Sequence, residues 1–286
     1  MTEAQAKRTQ QWPHERMARR AIVGWDASPA ADRALNWALT GPATGEIVLV
    51  HVIDSPAGAS AVAQDAIAAE AARIRDTHPD LTVNTELLQG DPVEVLVGFS
   101  SRSSIVVVGT DREHGGGIQY RWSIGARLAA AARGPVAIVP QGQGHRQTIV
   151  VGVDGSPASE AALKFAAEEA VRLGMTLRAV LGWQEPPVWM DAVVPDPAYL
   201  QSLEVMYGEV LDDAAQTLAE RYPGLRIDRM LIRGPAQKAL LDASEDAALL
   251  VVGNHGLRGL KRFLLGSVSR SVVLRAACAV VVVPSE

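Results

Sequence analysis

Short runs of aliphatic and β-branched residues alternate with amphipathic stretches along almost the whole chain. The runs, such as Ile47 to Ile53 and Val136 to Val139, are apolar at nearly every position, which is typical of parallel strands covered on both faces. The stretches between them have the periodicity of helices. The pattern therefore predicts an α/β fold in which a parallel sheet with right-handed crossovers carries helices on both faces.

Five strands are predicted in each half of the chain. Those of the first half are Ala21 to Trp25, Ile47 to Ile53, Thr82 to Leu88, Ile105 to Gly109 and Val136 to Val139. Those of the second half are Thr148 to Val153, Thr176 to Gly182, Arg226 to Ile232, Leu249 to Gly253 and Ala279 to Val283. Helices are predicted to begin near Pro29, Ala59, Pro92, Ser123 and Ser267. Each half is thus expected to be a doubly wound five-stranded unit.

The two halves are copies of one another. Arg20 to Ala38 (RAIVGWDASPAADRALNWA) matches Thr148 to Ala166 (TIVVGVDGSPASEAALKFA) at an offset of 128 residues. From Gly90 onward the offset is 144, so the second half holds 16 extra residues. These fall around Gly182 to Tyr199, where several prolines predict an irregular loop. We predict a disordered tail (1–17), a first domain (18–140), a polar linker (141–147) and a second domain (148–286).

Composition narrows the classes of function. The chain has 286 residues, 48% of them hydrophobic, and a formal net charge of −5. No apolar run approaches the length of a membrane span, and the acidic balance argues against general binding to nucleic acid, although the tail is locally basic. The single cysteine, Cys278, is expected to be a buried, inert thiol in a cytoplasmic protein. The histidines have no metal-ligand spacing.

A glycine-rich stretch follows the predicted strand Leu249 to Val252. Gly253 and Gly256 are separated by two residues, nine more residues follow, and Gly266-Ser267 begins the next helical pattern. Glycines let backbone N–H groups approach a ligand, and a helix N-terminus favours an anion, so the stretch is a candidate phosphate site. It matches neither a P-loop nor a Rossmann G-x-G-x-x-G. A tight turn between strand and helix is the alternative interpretation.

The spacing from Gly253 to Ser267 resembles the ATP-binding signature of the universal stress protein family. With the repeat, the resemblance to a tandem member of that family covers nearly the whole chain beyond the tail. It implies two adenine nucleotide alpha hydrolase-like domains of strand order 3-2-1-4-5, which pack as a pseudo-dimer through their last strands. A homodimer of the whole chain remains open.

The resemblance also implies an adenine nucleotide site in the second half, for ATP with or without Mg²⁺. The residues carried over are Asp154, Gly155, Ser156, Gly182, Val252, Gly253, His255, Gly256, Gly266, Ser267 and Val268. Asp154 is expected to accept a ribose hydroxyl, although a helix N-cap is its alternative role. His255 is expected to bind rather than to catalyse. For Arg258, Lys261 and Arg262, contact with phosphate and a solvated surface are equally open.

The first half departs from the signature. Arg112 stands at the position of Gly256, Trp122 at that of Gly266, Asp111 at that of His255 and Ala27 at that of Gly155. A tryptophan should fill the space of a phosphate, and an aspartate adds unfavourable charge. A shifted frame beginning at Gly115 needs compensating gaps. We therefore expect a degenerate first site, kept for packing or for another ligand.

The sequence thus favours an ATP-binding protein with a regulatory role in stress responses, read by an unidentified protein partner. The alternatives are an enzyme, either a slow ATPase or an adenylating ATP pyrophosphatase, and a family member that binds a cyclic nucleotide or none. Among the tryptophans, Trp25 and Trp37 are expected in the core. Trp183 and Trp189 are expected to pack over the helix from Tyr199 to Tyr222, with a lid or a partner surface as the alternative.

Overall fold

A computed structural model describes residues 20–41, 45–53, 59–111, 124–141, 146–185, 196–255 and 265–285. Several predictions fall outside these residues. They concern the tail 1–17, the linker residues 142–145, the helix start at Ser123, and Arg112, Gly115, Trp122, Trp189, Gly256, Arg258, Lys261 and Arg262.

Strands and helices alternate within each half of the described chain. The first half consists of β1 (Arg20–Gly24), α1 (Pro29–Thr40), β2 (Glu46–Ile53), α2 (Ala59–Thr77), β3 (Thr82–Gln89), α3 (Pro92–Phe99), β4 (Ser104–Gly109), α4 (Ile124–Ala131) and β5 (Val136–Val139). The second consists of β6 (Thr148–Gly152), α5 (Pro157–Leu173), β7 (Thr176–Trp183), α6 (Pro197–Arg221), β8 (Ile227–Arg233), α7 (Ala236–Ala243), β9 (Leu249–Gly253), α8 (Ser267–Arg275) and β10 (Ala279–Val283). Every predicted strand is confirmed, with ends that differ by no more than one residue.

All ten strands form one sheet, in the order β3-β2-β1-β4-β5-β10-β9-β6-β7-β8. Pairing is parallel within each half, and each half has the predicted order 3-2-1-4-5. The halves meet where β5 pairs antiparallel with β10, with Ala137 opposite Val281. The predicted junction of the last strands is therefore confirmed, and it closes two apolar edges that would otherwise be exposed.

Both faces of the sheet are covered, which explains why the strands lack apolar and polar alternation. Along β9, Val251 faces a core formed with α1, α2, α5 and α6, whereas Leu250 faces a second core formed with α3, α4, α7 and α8. Trp25 is 5% exposed and Trp183 is 4% exposed, both in the first core, and Trp37 packs against it. The expectation of a core residue is confirmed for Trp25, whereas Trp37 is only partly buried against the core.

Two further expectations can be compared with the structure. Trp183 stacks on Tyr207 of α6 with ring centroids 5.7 Å apart, which confirms its predicted packing against that helix. Cys278 is buried, and this burial raises the pKa of its thiol to about 11, as expected for an inert cysteine.

Among the described helices, none combines the length and hydropathy needed to cross a membrane.

Candidate functional site

A cavity of about 470 Å³ opens at the carboxyl ends of β6, β7 and β9. The residues predicted from the sequence converge on it, although they come from three strands and two helix starts. Nine of the eleven line it: Asp154, Ser156, Gly182, Val252, Gly253, His255, Gly266, Ser267 and Val268. Gly155 lies between two lining residues without lining the cavity itself. Gly256 lies outside the described residues.

The turn after β6 presents Asp154 at the cavity. Its Oδ1 accepts a hydrogen bond from the backbone N–H of Ser156 at 3.0 Å, and Gly155 between them has the left-handed φ of 74°. The Ser156 hydroxyl in turn accepts from the backbone N–H of Ser159 at 3.2 Å and caps α5. The cap is therefore Ser156, and the alternative role of Asp154 as the N-cap is wrong. The Asp154 carboxylate is exposed at the cavity mouth.

Two buried serines that sequence analysis missed hold the strand ends in place. The Ser159 hydroxyl accepts from the backbone N–H of Asp154 at 3.2 Å and donates to the Gly152 carbonyl at 3.3 Å. The Ser269 hydroxyl donates to the carbonyl of Gly253. Both serines line the cavity and are 4% exposed. Comparison of the repeats was the available signal, because the equivalent positions of the first half hold no hydroxyl: Ala31 and Gly125.

The inner wall of the cavity is apolar. It is formed by side chains on the strand ends and on α7, namely Val153, Val180, Leu240 and Val252. Leu240 and Ala236, both missed by sequence analysis, belong to α7, which approaches the sheet closely. A Cβ on Gly182 would lie 2.6 Å from the Ala236 Cα, so the glycine is required by this helix contact.

Close helix packing also explains Gly253. A Cβ at this position would lie 2.8 Å from the backbone carbon of Ala158 at the start of α5. Its counterpart Gly109 faces Ala30 of α1 in the same way, with a Cβ only 1.9 Å from the carbonyl oxygen. Because both halves have this contact, Gly253 by itself does not indicate a ligand. Gly266 differs, since a Cβ there would lie 3.3 Å or more from its neighbours.

The start of α8 provides unpaired hydrogen-bond donors. Gly266 is its N-cap, and no side chain caps the helix. The Gly266 N–H donates to the Asn254 carbonyl at 2.9 Å, which closes the loop after β9, and Ser267 follows as an exposed first helical residue. The first N–H groups of a helix have no intrahelical partner and carry the positive end of its dipole. This end of the cavity therefore suits an anion.

Titratable groups are few around the cavity. Among its described lining residues, only Asp154 and His255 have an acidic or imidazole side chain. The Nε2 atom of His255 is buried and has no hydrogen-bond partner among the described residues, which leaves a donor or acceptor for a ligand. In the described part of the chain, no three His, Cys, Asp or Glu side chains come together as a metal site.

Comparison with known proteins agrees with this architecture. The sequence profile described as Universal stress protein family matches residues 17–140 and again residues 145–284. The chain belongs to the universal stress protein family. A universal stress protein of Mycolicibacterium smegmatis is 31% identical over 288 residues, covering 92% of this chain and 96% of the relative. One from Mycobacterium tuberculosis is 32% identical over 293 residues, covering 91% and 95%.

Solved structures of universal stress proteins share the fold across both halves. The one from Archaeoglobus fulgidus DSM 4304 has a TM-score of 0.66 at 18% sequence identity and covers 94% of this chain and 97% of its own. A putative universal stress protein from Pseudomonas aeruginosa has a TM-score of 0.63 at 15% identity and covers 93% of both chains. At these identities the likeness shows the fold alone.

The first half of this universal stress protein has the same turn after its first strand but different side chains around the equivalent position. Asp26 Oδ1 accepts from the Ser28 N–H at 3.0 Å, and the Ser28 hydroxyl caps α1, as in the second half. Asp111, which stands at the position of His255, forms an ion pair with Arg33 of α1. Arg33 also donates to the Thr110 carbonyl at 3.3 Å. An ion pair thus occupies the region where the second half has Ala161 and His255.

Proposed function

We propose that the second half of this universal stress protein binds ATP, as its Mg²⁺ complex or alone, and that the bound state serves a regulatory role in stress responses. The convergence of nine signature residues on one cavity carries this proposal. A volume of about 470 Å³ is within the range of roughly 300–1,000 Å³ typical of small-molecule sites.

The cavity has a suitable environment for each part of the nucleotide. Val153, Val180 and Leu240 offer an apolar surface to the adenine base, whose edge would be recognised by the backbone at Gly182. The exposed Asp154 carboxylate is fixed by the Ser156 N–H and would accept a ribose hydroxyl. The uncapped start of α8 would donate its N–H groups to phosphate oxygens.

We infer binding rather than turnover. Hydrolysis needs a base that orients or activates water, and the described lining residues include only Asp154 and His255 as candidates. Asp154 is assigned to the ribose in this proposal, and the remaining donor of His255 fits a hydrogen bond to phosphate. We propose that the protein acts in the cytoplasm and that a protein partner recognises its nucleotide-bound state.

We further propose that the first half holds no nucleotide, so that one chain binds one ATP. The Arg33–Asp111 ion pair supports this, because it brings a carboxylate to the place where the second half would receive phosphate. The sequence adds Trp122 at the position of Gly266.

The test is to count the nucleotide released when the purified chain is denatured, before and after saturation with ATP, and to titrate ATP by calorimetry. About one ATP per chain is expected. A Gly266→Trp variant, which copies the first half, and an Asp154→Ala variant should each lose most binding. The matched control is Asp26→Ala at the equivalent position of the first half, which should bind normally.

Other results have definite meanings. Two nucleotides per chain would overturn the assignment of a degenerate first half. No binding at saturation would overturn the function itself. Tighter binding of a cyclic nucleotide in competition would change the ligand, and release of ADP above the Gly266→Trp blank would establish an ATPase.

A further inference from the structure

The antiparallel junction between β5 and β10 places parts of the first half beside the cavity of the second. Because the halves run in opposite directions, the amino ends of β1, β4 and β5 lie at the same edge of the sheet as the carboxyl ends of β6, β9 and β10. We call this the pocket edge. The residues just before β4 and β5 are therefore neighbours of the ATP site proposed above.

Arg133 is an exposed cation just before β5 at this edge. The pairing ends with Val136 opposite Val282, so Arg133 precedes the last pair by three residues and Ser285 follows it by three. The Ser285 N–H donates to Asn254 Oδ1 at 3.3 Å, and Asn254 lies next to the lining residue His255. Two strand spacings, about 10 Å in total, separate β5 from β9.

The helices give the same placement. α4 packs against α8, and the residues at their facing ends share one core: Ala132 after α4, and Leu265 and Val268 around the start of α8. Arg133 follows Ala132 directly. It therefore follows α4 on the same face of the sheet as α8, whose uncapped start the proposed function assigns to phosphate.

The backbone of Arg133 is fixed while its side chain is available. Its N–H donates to the Ser100 hydroxyl at 3.0 Å. Gly134 approaches the Ser101 carbonyl so closely that a Cβ would lie 1.8 Å from the oxygen. The side chain is exposed, and among the described residues no carboxylate pairs with its guanidinium. A fixed backbone with an unpaired cation is suited to receiving an anion.

The charge at the two edges differs in a way that favours this role. Arg102, before β4, also lies at the pocket edge, and its equivalent 144 residues later is Asp246 at the opposite edge. Asp246 is adjacent to Glu245 and pairs with Arg178 at 3.0 Å. The equivalent of Arg133 is Ala277. At these two positions the first half thus has arginines where the second half has Asp246 and Ala277.

We propose that Arg133 of the first half binds the terminal phosphates of the nucleotide held by the second half, with Arg102 adding longer-range attraction. This rests on the proposed ATP site and assigns the first half a part in it. The ligand class that follows is a nucleoside triphosphate in preference to a monophosphate, because only the longer phosphate chain extends beyond the start of α8.

The experiment is calorimetric titration of the full chain with ATP and with AMP, comparing the unmodified protein with Arg133→Ala and Arg133→Lys. Arg133→Ala should weaken ATP about five- to tenfold and leave AMP unchanged, and Arg133→Lys should recover part of the loss. The loss of ATP affinity caused by Arg133→Ala should become smaller as the salt concentration rises from about 0.05 to about 0.5 M. The matched control is Arg226→Ala, which removes an exposed cation before β8 at the opposite edge.

Each other outcome overturns the inference in a recognisable way. Unchanged ATP affinity in Arg133→Ala, with ATP bound normally by the unmodified chain, would refute the role of Arg133 and leave the proposed function standing. Equal losses for ATP and AMP would mean that Arg133 affects the cavity rather than the terminal phosphates. An equal loss in Arg226→Ala would mean a general effect of net charge. Failure of the unmodified chain to bind ATP would remove both proposals.

Discussion

Ala27 and Gly155 occupy the same position of the two repeats, and both have a left-handed backbone, with φ of 62° and 74°. Each lies in the turn between an aspartate and the serine that caps the following helix. Among the described residues, Ala27 is the only one other than glycine with a positive φ. The turn geometry is thus kept in the first half even though alanine adopts it at a cost.

Replacing Ala27 by glycine should stabilise the protein. The left-handed conformation costs an alanine roughly 1–2 kcal/mol, and the greater freedom of glycine in the unfolded chain offsets part of that gain. We expect the free energy of unfolding to rise by about 0.5–1 kcal/mol, measured by urea denaturation at an unchanged m-value. Gly155→Ala is the matched reverse change and should destabilise by a similar amount. A lower free energy of unfolding in Ala27→Gly would show that the left-handed backbone of Ala27 does not strain the folded protein.

Substitution by alanine should have different effects at Gly253 and Gly266. A methyl group at Gly253 would meet the α5 backbone at 2.8 Å, so Gly253→Ala should lower the free energy of unfolding by about 1–3 kcal/mol without nucleotide. Gly266→Ala has more room, so it should fold nearly normally but bind ATP more weakly, because the methyl group would enter the cavity. Urea denaturation and calorimetric titration of both variants separate the two effects. Equal stability losses would show that Gly266 is also a packing glycine.

Asp91 should contribute to the pH dependence of stability. The pKa of its carboxyl group is lowered from 3.8. The main cause is the hydrogen bond that the carboxylate accepts from the backbone N–H of Glu94 as the N-cap of α3, and Arg127 lowers the pKa further. A carboxylate with a lowered pKa stabilises the fold above its unfolded pKa, and this stability is lost as pH falls through the lower folded pKa. Asp91→Asn keeps a capping oxygen without the charge. The variant should be less stable than the parent at pH 7.

The difference should begin to shrink as pH falls below about 3.8 and should vanish only below the lowered folded pKa, which urea midpoints measured from pH 7 downward would check. Asp196→Asn at the cap of α6 is a suitable comparison, because the same charge is removed from a different helix start. A constant difference between parent and Asp91→Asn over the whole range would show that charge is not responsible.

Cys278 should be nearly unreactive in the folded protein. With a thiol pKa of about 11, roughly one thiol in a thousand is ionised at pH 8, and burial restricts access further. A disulfide reagent such as dithionitrobenzoate should label no thiol within minutes under native conditions and one per chain in 6 M guanidinium. Rapid native labelling would contradict the packing of β10 described above.

Much of the fold was predictable because its determinants are local. The Val-rich runs of β4 and β10 and the Ser-Pro starts of α1 and α5 can be identified from a few neighbouring residues. The family resemblance carried by the glycine spacing likewise marked nine of the sixteen described lining residues. Ser159 and Ala236 were missed because their roles depend on how closely α5 and α7 approach the sheet. Arg133 could not be assigned at all, since the sequence does not show that β5 and β10 pair antiparallel and bring the two halves together.

The β5–β10 junction has a consequence for how the two halves can change in evolution. In a homodimer joined by an isologous interface, every substitution occurs twice and both sites change together. In a single chain the two-fold relation is only approximate, so the first half can have Arg102 where the second half has Asp246. Fusion of the two halves thus allows one half to lose its own ligand site and to support the site of the other half. Exact symmetry does not allow the two halves to differ in this way.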